Sequence, residues 1–294
     1  MHQHDHSHHK DESASRIAMA FFLNVGFTII EFIGGWLTNS TAIMADAVHD
    51  LGDSLSIGSG WLLDRLGNRK PDSQFTYGYR RLSLVGALVN GLVLISGSIW
   101  VISEALPRLL NPVMPHTEGM IALAVLGVTV NSFAAYKLKA GKTLNEKILN
   151  WHLMEDVFGW LAVLLVALVM PIVDMPILDP LLSVGFTLFI LINVVKTVLK
   201  TGRLFIQATP SANTVDTITQ SLRSLDKVES VHHLHLWSLD GEQHVLTAHI
   251  RAYPLDSLED YSKLKETIHT ALSSEDIAHT TIEIELSDER CRDE

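Results

Sequence analysis

Residues 40–56, "STAIMADAVHDLGDSLS", decide the architecture of this chain. The stretch is apolar enough to resemble the hydrophobic segments on either side of it, yet it contains Asp46, His49, Asp50 and Asp53 within eight positions. Charged side chains are costly inside a bilayer, and those found there usually mark an ion pathway. The stretch therefore predicts a membrane helix that binds a cation.

The composition divides the chain into three parts. Hydrophobic residues make up 47% of its 294 residues and the mean hydropathy is +0.23, which is high for a soluble protein. Residues 16–207 are dominated by apolar runs, residues 208–294 read as a small soluble domain, and residues 1–15 form a polar tail. We therefore predict a membrane domain, a soluble domain and a tail. The tail does not have the pattern of a signal peptide.

Six segments reach the length of about 20 mostly apolar residues that a spanning helix needs. They are Ile17–Thr38, Ser40–Leu63, Leu82–Ser103, Gly119–Tyr136, Lys147–Val173 and Ile177–Val195. Lys and Arg are concentrated between segments two and three, between four and five, and after six, whereas the alternate loops contain only Arg108. Positive loops face the cytoplasm, so both termini and the soluble domain are expected there, in an inner (plasma) membrane protein.

The soluble part predicts an αββαβ order. Residues 213–225 have helical spacing with Asn213 as N-cap, and residues 258–272 predict a second helix. "VHHLHLWSL" and "HVLTAHI" alternate like strands on either side of Asp240-Gly241, a hairpin signal, and "TTIEIEL" predicts a third strand. A small sheet with its helices on one face follows.

Two histidine–aspartate pairs have the spacing that places both side chains on one helix face. His49 and Asp53 are four residues apart, and so are His152 and Asp156 in the fifth segment. Facing each other, the pairs supply two nitrogens and two oxygens, which suits tetrahedral Zn²⁺. The alternatives are polar residues meeting water at helix ends and a side-chain bridge between two helices.

Other polar residues in the spans are weaker candidates. Asp50 lies about 100° around the helix from His49 and could face a water-filled entry, and Asp46 is no stronger a ligand candidate. Glu31 and Asn24, two turns apart in the first segment, either share the polar interior or form a buried hydrogen-bonding pair. Glu155 adjoins Asp156 but points elsewhere.

The combination of "SxAxxADAxHxxxD" in the second segment with "HxxxD" in the fifth resembles the cation diffusion facilitator family. "LHLW", "AHI" and "HTTIEIE" extend the resemblance into the soluble part, over residues 16–290. The resemblance implies six helices, a cytoplasmic αββαβ domain, and a homodimer that exchanges cytosolic divalent metal for protons. It also implies a zinc exporter, because members of that kind have His and Asp on both helices.

The resemblance further implies zinc as a structural or regulatory ion in the cytoplasmic domain. Its expected ligands are His235, His249, His279 and Glu285, with His232 as an additional candidate. Strand alternation places His233, His235 and Trp237 on one face, and Trp237 is expected to pack. Some members have another site in the loop between helices two and three, but here that loop has Asp72 and no histidine, so none is expected.

Two further features bear on metal binding. The tail has five histidines, which predict that it captures cytosolic metal. The alternative is a dispensable solvated tail or a cloning remnant. The five are His2, His4, His6, His8 and His9. The single cysteine, Cys291, excludes an intrachain disulfide and predicts that no cysteine-based metal cluster is present.

These observations favour a zinc/proton antiporter in the lipid bilayer. The net charge of −11 disfavours a nucleic-acid partner. An intramembrane metalloprotease would need an open position on the metal, and the chain has no H-E-x-x-H. A membrane-embedded metal sensor and a broader exporter of Cd²⁺ or Co²⁺ remain open.

Overall fold

The computed structural model describes residues 5–67, 69–139, 144–273 and 276–293. The predicted metal-capture histidines are outside this description: His2 and His4 altogether, and His6, His8 and His9 in their side chains. Contacts divide the chain into two compact units. The first contains the described residues up to Leu62 and those from Gly86 to Val198, and the second contains residues 63–85 and the described residues from Leu199 onwards.

Six long helices account for the apolar part of the chain. They are α1 (Asp5–Thr38), α2 (Thr41–Gly67), α3 (Leu82–Leu110), α4 (Thr117–Lys139), α5 (Leu144–Val173) and α6 (Leu178–Phe205). All of them except α2 contain a stretch long and apolar enough to cross a membrane. The exception has the length, but it carries the three aspartates of the opening stretch.

The helices extend beyond the predicted spans. The first begins at Asp5 rather than near Ile17, so part of the polar tail belongs to the helix. The sixth ends at Phe205 rather than near Val195. The predicted spans counted apolar residues, whereas backbone hydrogen bonding continues into polar turns once a helix has formed.

A tryptophan fixes the packing of α1, α4 and α5. Trp160 is fully buried and makes an edge contact with Phe27, with ring centroids 5.5 Å apart. Its indole lies against Gly127 so closely that a Cβ added there would come within 2.4 Å of the ring. Glycine is therefore required at position 127 for α4 and α5 to approach each other this closely.

The start of α2 is capped by a carboxylate from α6. Asp179, which is buried, accepts hydrogen bonds from the Ser40 hydroxyl (2.5 Å), from the Thr41 backbone N–H and hydroxyl (2.8 Å each), and from the Ala42 N–H (3.3 Å). The first N–H groups of a helix have no acceptor within it, and the helix dipole favours an anion there. Asp179 supplies both the acceptors and the negative charge. It therefore anchors α6 to the start of α2, the helix that carries His49 and Asp53.

We expect Asp179→Ala to lower the melting temperature of the purified protein by several degrees, because hydrogen bonds to a charged group contribute about 1.5–3 kcal/mol each. Glu118→Ala is the matched control, since Glu118 is an exposed acid in the first turn of α4. Thermal unfolding in detergent compares them. Equal melting temperatures for the two variants would mean that the contacts of Asp179 do not stabilise the fold.

The second unit confirms the predicted αββαβ order. Its elements are α7 (Ala212–Arg223), β1 (Val228–Ser238), β2 (His244–Ala252), α8 (Leu258–Leu272) and β3 (Ile277–Glu285). β2 is central, antiparallel to β1 and parallel to β3. Apolar residues of both helices and the sheet share one core, which includes Leu222, Leu246, Ile250 and Leu264. The N-cap of α7 is Ser211, so the prediction of Asn213 is wrong by two positions.

The loop between α2 and α3 packs with the soluble domain inside this unit. Asp240, in the hairpin turn that Gly241 closes with a φ of +103°, pairs with Arg80 at 3.3 Å. The Tyr77 ring lies 5.0 Å from that of His279. Asp72 accepts hydrogen bonds within the loop from the Tyr79 hydroxyl and two backbone N–H groups, which lower its pKa. Its carboxylate is therefore occupied in holding the loop.

Candidate metal sites

Helices α2 and α5 bring the two predicted pairs together. Each of His49, Asp53, His152 and Asp156 offers one ligand atom, and these atoms lie within 4.8 Å of one another. Nε2 of His152 is 3.0 Å from an Asp53 oxygen, and Nδ1 of His49 is 3.4 Å from the same oxygen. Asp156 lies 3.9 Å from His49 and 3.8 Å from His152. Each histidine therefore approaches the aspartate of both helices.

These separations are close to those of a tetrahedral zinc site. Zinc bonds to nitrogen and oxygen of about 2.0–2.2 Å place neighbouring ligand atoms roughly 3.3–3.6 Å apart. The four measured distances run from 3.0 to 3.9 Å. Small side-chain adjustments would thus be enough to enclose an ion.

Several ligand atoms of the group are buried and make no hydrogen bond of good geometry among the described residues, although Nε2 of His152 and Oδ2 of Asp53 are only 3.0 Å apart. They are Nε2 of His152, Oδ2 of Asp53 and both carboxylate oxygens of Asp156. Buried polar atoms are nearly always paired, so unpaired ones need an explanation. A cation bound between the helices would satisfy all of them at once.

The weaker candidates fall outside this group. Asp50 is only 1% exposed, so the suggested position at a water-filled entry does not fit. Asp46 and Glu31 are also buried. Asn24 donates to the Asp50 carbonyl and to Ser54, so the hydrogen-bonding pair suggested for Asn24 and Glu31 is not formed through these donors. Glu155 is exposed, as expected.

Comparison with known proteins identifies the family of this chain. The cation efflux transmembrane domain matches residues 17–206, and the cation efflux protein cytoplasmic domain matches residues 210–287. The chain belongs to the cation diffusion facilitator (cation efflux) family. That is a family of transporters rather than of enzymes. Its matched transmembrane domain includes α2, which together with the five more apolar helices makes six transmembrane helices.

Bacterial relatives cover nearly the whole of this transporter. The zinc transporter ZitB of Shigella flexneri is 30% identical over 96% of this chain and 92% of its own length. The cadmium, cobalt and zinc/H(+)-K(+) antiporter of Bacillus subtilis is 28% identical over 95% and 91%. The metal cation efflux system protein CzcD of Cupriavidus metallidurans is 27% identical over 97% and 90%.

The soluble domain contains a second group of metal-ligating side chains. His232, His249, Glu285 and Cys291 each place a ligand atom within 4.8 Å of the others. Both histidines lie 3.1 Å from Oε1 of Glu285, and the Cys291 sulfur is 3.3 Å from Nδ1 of His249. Two imidazoles, a carboxylate and a thiol are all ligands that zinc accepts, so the donor set fits that ion.

A β-bulge explains why His232 belongs to this group. The register pairs His232 with His249 and His235 with Thr247, so two residues of β1, His233 and Leu234, lie opposite one residue of β2. His233 has a φ of +48°. Strict alternation would place His232 and His235 on opposite faces, but the extra residue turns both towards the face of His249.

The structure therefore brings together three of the five predicted cytoplasmic ligands. His235 is exposed and contacts His233, with Nε2 atoms 3.3 Å apart. His279 is exposed beside Tyr77. Neither belongs to the four-residue group. Trp237, which was expected to pack, is half-buried in β1.

Cys291 is the residue that sequence reasoning missed. We expected a single cysteine to exclude a cysteine-based metal site, but one thiol can join a mixed set of ligands. The chain turns back after β3 through a Glu289 N–H to Leu286 carbonyl hydrogen bond, and Arg251 donates to the Glu289 carbonyl. This turn carries Cys291 to His249.

Glu285 is held in its ionised form by its neighbours. Burial raises the pKa of this carboxyl, but hydrogen bonds from Cys291 and His249 and the proximity of His232 lower it by more, so the pKa lies below its ordinary value. An ionised carboxylate is the form that binds a metal ion.

Metal content tests this revised ligand set. In full-length protein that also carries Asp156→Ala, so that the intramembrane group is disabled, we expect His249→Ala to bind about one zinc ion fewer per protomer, because a ligand is lost. His235→Ala and His279→Ala are the matched controls and should retain it. Equilibrium dialysis measures the content. Loss of zinc from either control, with retention by His249→Ala, would reverse the assignment.

Proposed function

We propose that this protein is a zinc/proton antiporter, in which Zn²⁺ is the transported substrate and His49, Asp53, His152 and Asp156 hold it within the membrane domain. The observation that carries the proposal is the convergence of these four ligand atoms with no hydrogen bonds to satisfy most of them. Hydrolytic zinc sites have three protein ligands and an open position for water, whereas four protein ligands leave no position for a reacting water.

The ligand chemistry favours zinc among divalent cations. Imidazole nitrogen suits zinc and other late transition metals, while sets made only of carboxylates suit Mg²⁺ and Mn²⁺. One relative is named as a zinc transporter and another as a cadmium, cobalt and zinc/H(+)-K(+) antiporter, so Cd²⁺ and Co²⁺ are the competing substrates.

Protons compete with zinc for the same ligands. A histidine must be neutral to bind a metal, and imidazole titrates near physiological pH. The side chains of His49 and His152 are 17% and 24% exposed, so solvent reaches them. Proton entry from the outer side would expel zinc and reset the carrier, as alternating access requires.

The direction of transport follows from the charged loops. The concentration of Lys and Arg between α2 and α3, between α4 and α5, and after α6 supports an orientation in which both termini and the soluble domain are inside the cell. Zinc then enters from the cytosol and leaves across the inner (plasma) membrane, and the histidine-rich tail captures it beforehand.

The cytoplasmic group tunes transport without carrying zinc. Metal that binds only the folded domain stabilises it. The second unit also contains the last residues of α2, the helix that bears His49 and Asp53, and the Arg80–Asp240 pair secures the loop that follows that helix. In a homodimer joined through the soluble domains, zinc at His232, His249, Glu285 and Cys291 would bias the position of that helix end.

Transport by ligand variants tests the intramembrane site. We expect Asp53→Ala and Asp156→Ala to reduce zinc uptake by proteoliposomes under a pH gradient by about 100-fold or more, since even changes to residues that merely support a ligand cost about 10–100-fold in affinity. Glu155→Ala is the control, because Glu155 adjoins Asp156 but is exposed. Near-normal uptake by either aspartate variant would refute the site. Zinc binding without any flux in the wild type would favour a sensor.

Metal competition tests the role of the histidines. We expect His49→Asp to weaken the preference for zinc and to admit Mn²⁺, since a hard oxygen replaces a borderline nitrogen. Uptake of zinc is measured in the presence of Mn²⁺, Co²⁺ and Cd²⁺ in turn. His116→Asp, at an exposed histidine between α3 and α4, is the control. An unchanged ranking in His49→Asp would show that selectivity originates elsewhere.

A further inference from the structure

A second set of buried acids lies in the membrane unit, apart from the four proposed zinc ligands. Glu31 on α1 is fully buried, and Asp46 and Asp50 on α2 are 3% and 1% exposed. Five of their six carboxylate oxygens make no hydrogen bond. Among the described residues, the ion pairs that Arg forms are all with other acids.

Polar residues of α1 line the same place. Asn24, Thr28 and Glu31 are spaced at i, i+4 and i+7, which places them on one helix face. The Asn24 amide donates to the Asp50 carbonyl at 3.3 Å and to the Ser54 hydroxyl at 3.1 Å, so this face lies against α2. Its own oxygen, Oδ1, is buried with no donor. This amide oxygen is therefore available to a ligand, independently of the acids.

The carboxyl of Glu31 interacts with those of Asp50 and Asp46 on α2, and with the Trp160 indole and the Asp156 carboxyl on α5. The buried Trp160 N–H has no acceptor at bonding distance. α4, which also packs against α1, contributes no titratable group to the set around Glu31. Among the described residues, the charged groups that act on Glu31 are thus all acids.

Isolated carboxylates in a bilayer interior require neutralisation by protons or by a bound cation. The zinc ligands do not provide it, because they already include two acids for one ion. Asp46 interacts with Asp53 and Asp156, so the two groups are electrostatic neighbours. A positive charge in one group therefore disfavours a positive charge in the other.

We propose that Glu31, with Asn24, Asp46 and Asp50 around it, is a separate site for the monovalent counter-cation of transport, either a proton or an alkali-metal ion. This proposal rests on the antiport function proposed above and adds that, besides the protons that compete with zinc at its four ligands, one exchanged cation has a site of its own. Glu31 is the group that exchanges it, because it is the acid of the set that lies on a helix without zinc ligands. Zinc arriving between α2 and α5 expels the cation, and the returning cation expels zinc.

The test compares wild-type protein with Glu31→Gln, which keeps the shape of the side chain and removes its charge. In proteoliposomes, we expect zinc–zinc exchange to persist in the variant while zinc accumulation under a pH gradient falls by about tenfold or more, within the range of coupling between two binding sites. Calorimetry in two buffers should show that zinc binding releases about one proton fewer. Glu104→Gln, an exposed acid on α3, is the control.

Three outcomes separate the proposals. Normal pH-driven accumulation and normal proton release in Glu31→Gln, together with zinc binding that responds to K⁺ as it does in the wild type, would overturn the second site. Absence of zinc flux in the wild type would instead overturn the antiport function. If K⁺, exchanged for choline at fixed pH, weakens zinc binding in the wild type but not in Glu31→Gln, the bound cation is an alkali-metal ion; if only pH does so, it is a proton.

A measurement on the wild type keeps the proposal testable if Glu31→Gln does not fold. Dicyclohexylcarbodiimide modifies protonated carboxyls in apolar surroundings, and mass spectrometry identifies the modified residue. We expect modification of Glu31 that decreases when zinc binds and when pH or K⁺ is raised. A rate at Glu31 that is indifferent to zinc, pH and K⁺ would refute the site.

Discussion

The constraint on which this structure depends is that a carboxylate enclosed in a membrane domain must be satisfied by something other than water. Helix α2 meets that constraint in different ways along its length. Its first turn receives Asp179 from α6, whose charge is balanced by backbone and hydroxyl donors. Further along, Asp53 meets the imidazoles of α2 and α5. Asp46 and Asp50 have no such partners, and for this reason they point to a cation rather than to a structural role.

Much of the fold could be predicted because helical and strand periods are strict. Six apolar segments and an αββαβ pattern are legible in the sequence, and both are present. Ends were less predictable. Asn213 is a good N-cap residue, but Ser211 occupies the position, since the preceding chain determines where the helix can begin. The spans were predicted too short because hydropathy measures the hydrocarbon core and not the extent of helical hydrogen bonding.

The two metal groups differ in predictability for a physical reason. The intramembrane group follows from i, i+4 geometry on two helices, which leaves little freedom once both helices exist. The cytoplasmic group depends on a β-bulge at His233, which has a positive φ. No local sequence signal predicts this bulge. That bulge puts His232 on the same face as His249 and His235, and only His232 and His249 of these belong to the four-residue group. Cys291 reaches His249 because the chain turns back after β3. The presence of one cysteine in the sequence does not indicate where such a turn places it.

The same two groups also differ in how easily a bound metal ion could be displaced from them. The histidines of the intramembrane group are partly exposed and lie beside acids that attract protons. Protons therefore compete with a bound metal ion for these histidines. In the cytoplasmic group, His249 and Glu285 are buried and a thiol stands in the fourth position. Thiolate binds zinc strongly and excludes harder metals such as Mg²⁺. A carrier needs the first kind of site, because an ion that cannot be displaced cannot be delivered, whereas a domain that responds to cytosolic zinc needs the second, because retention of the ion is what stabilises it.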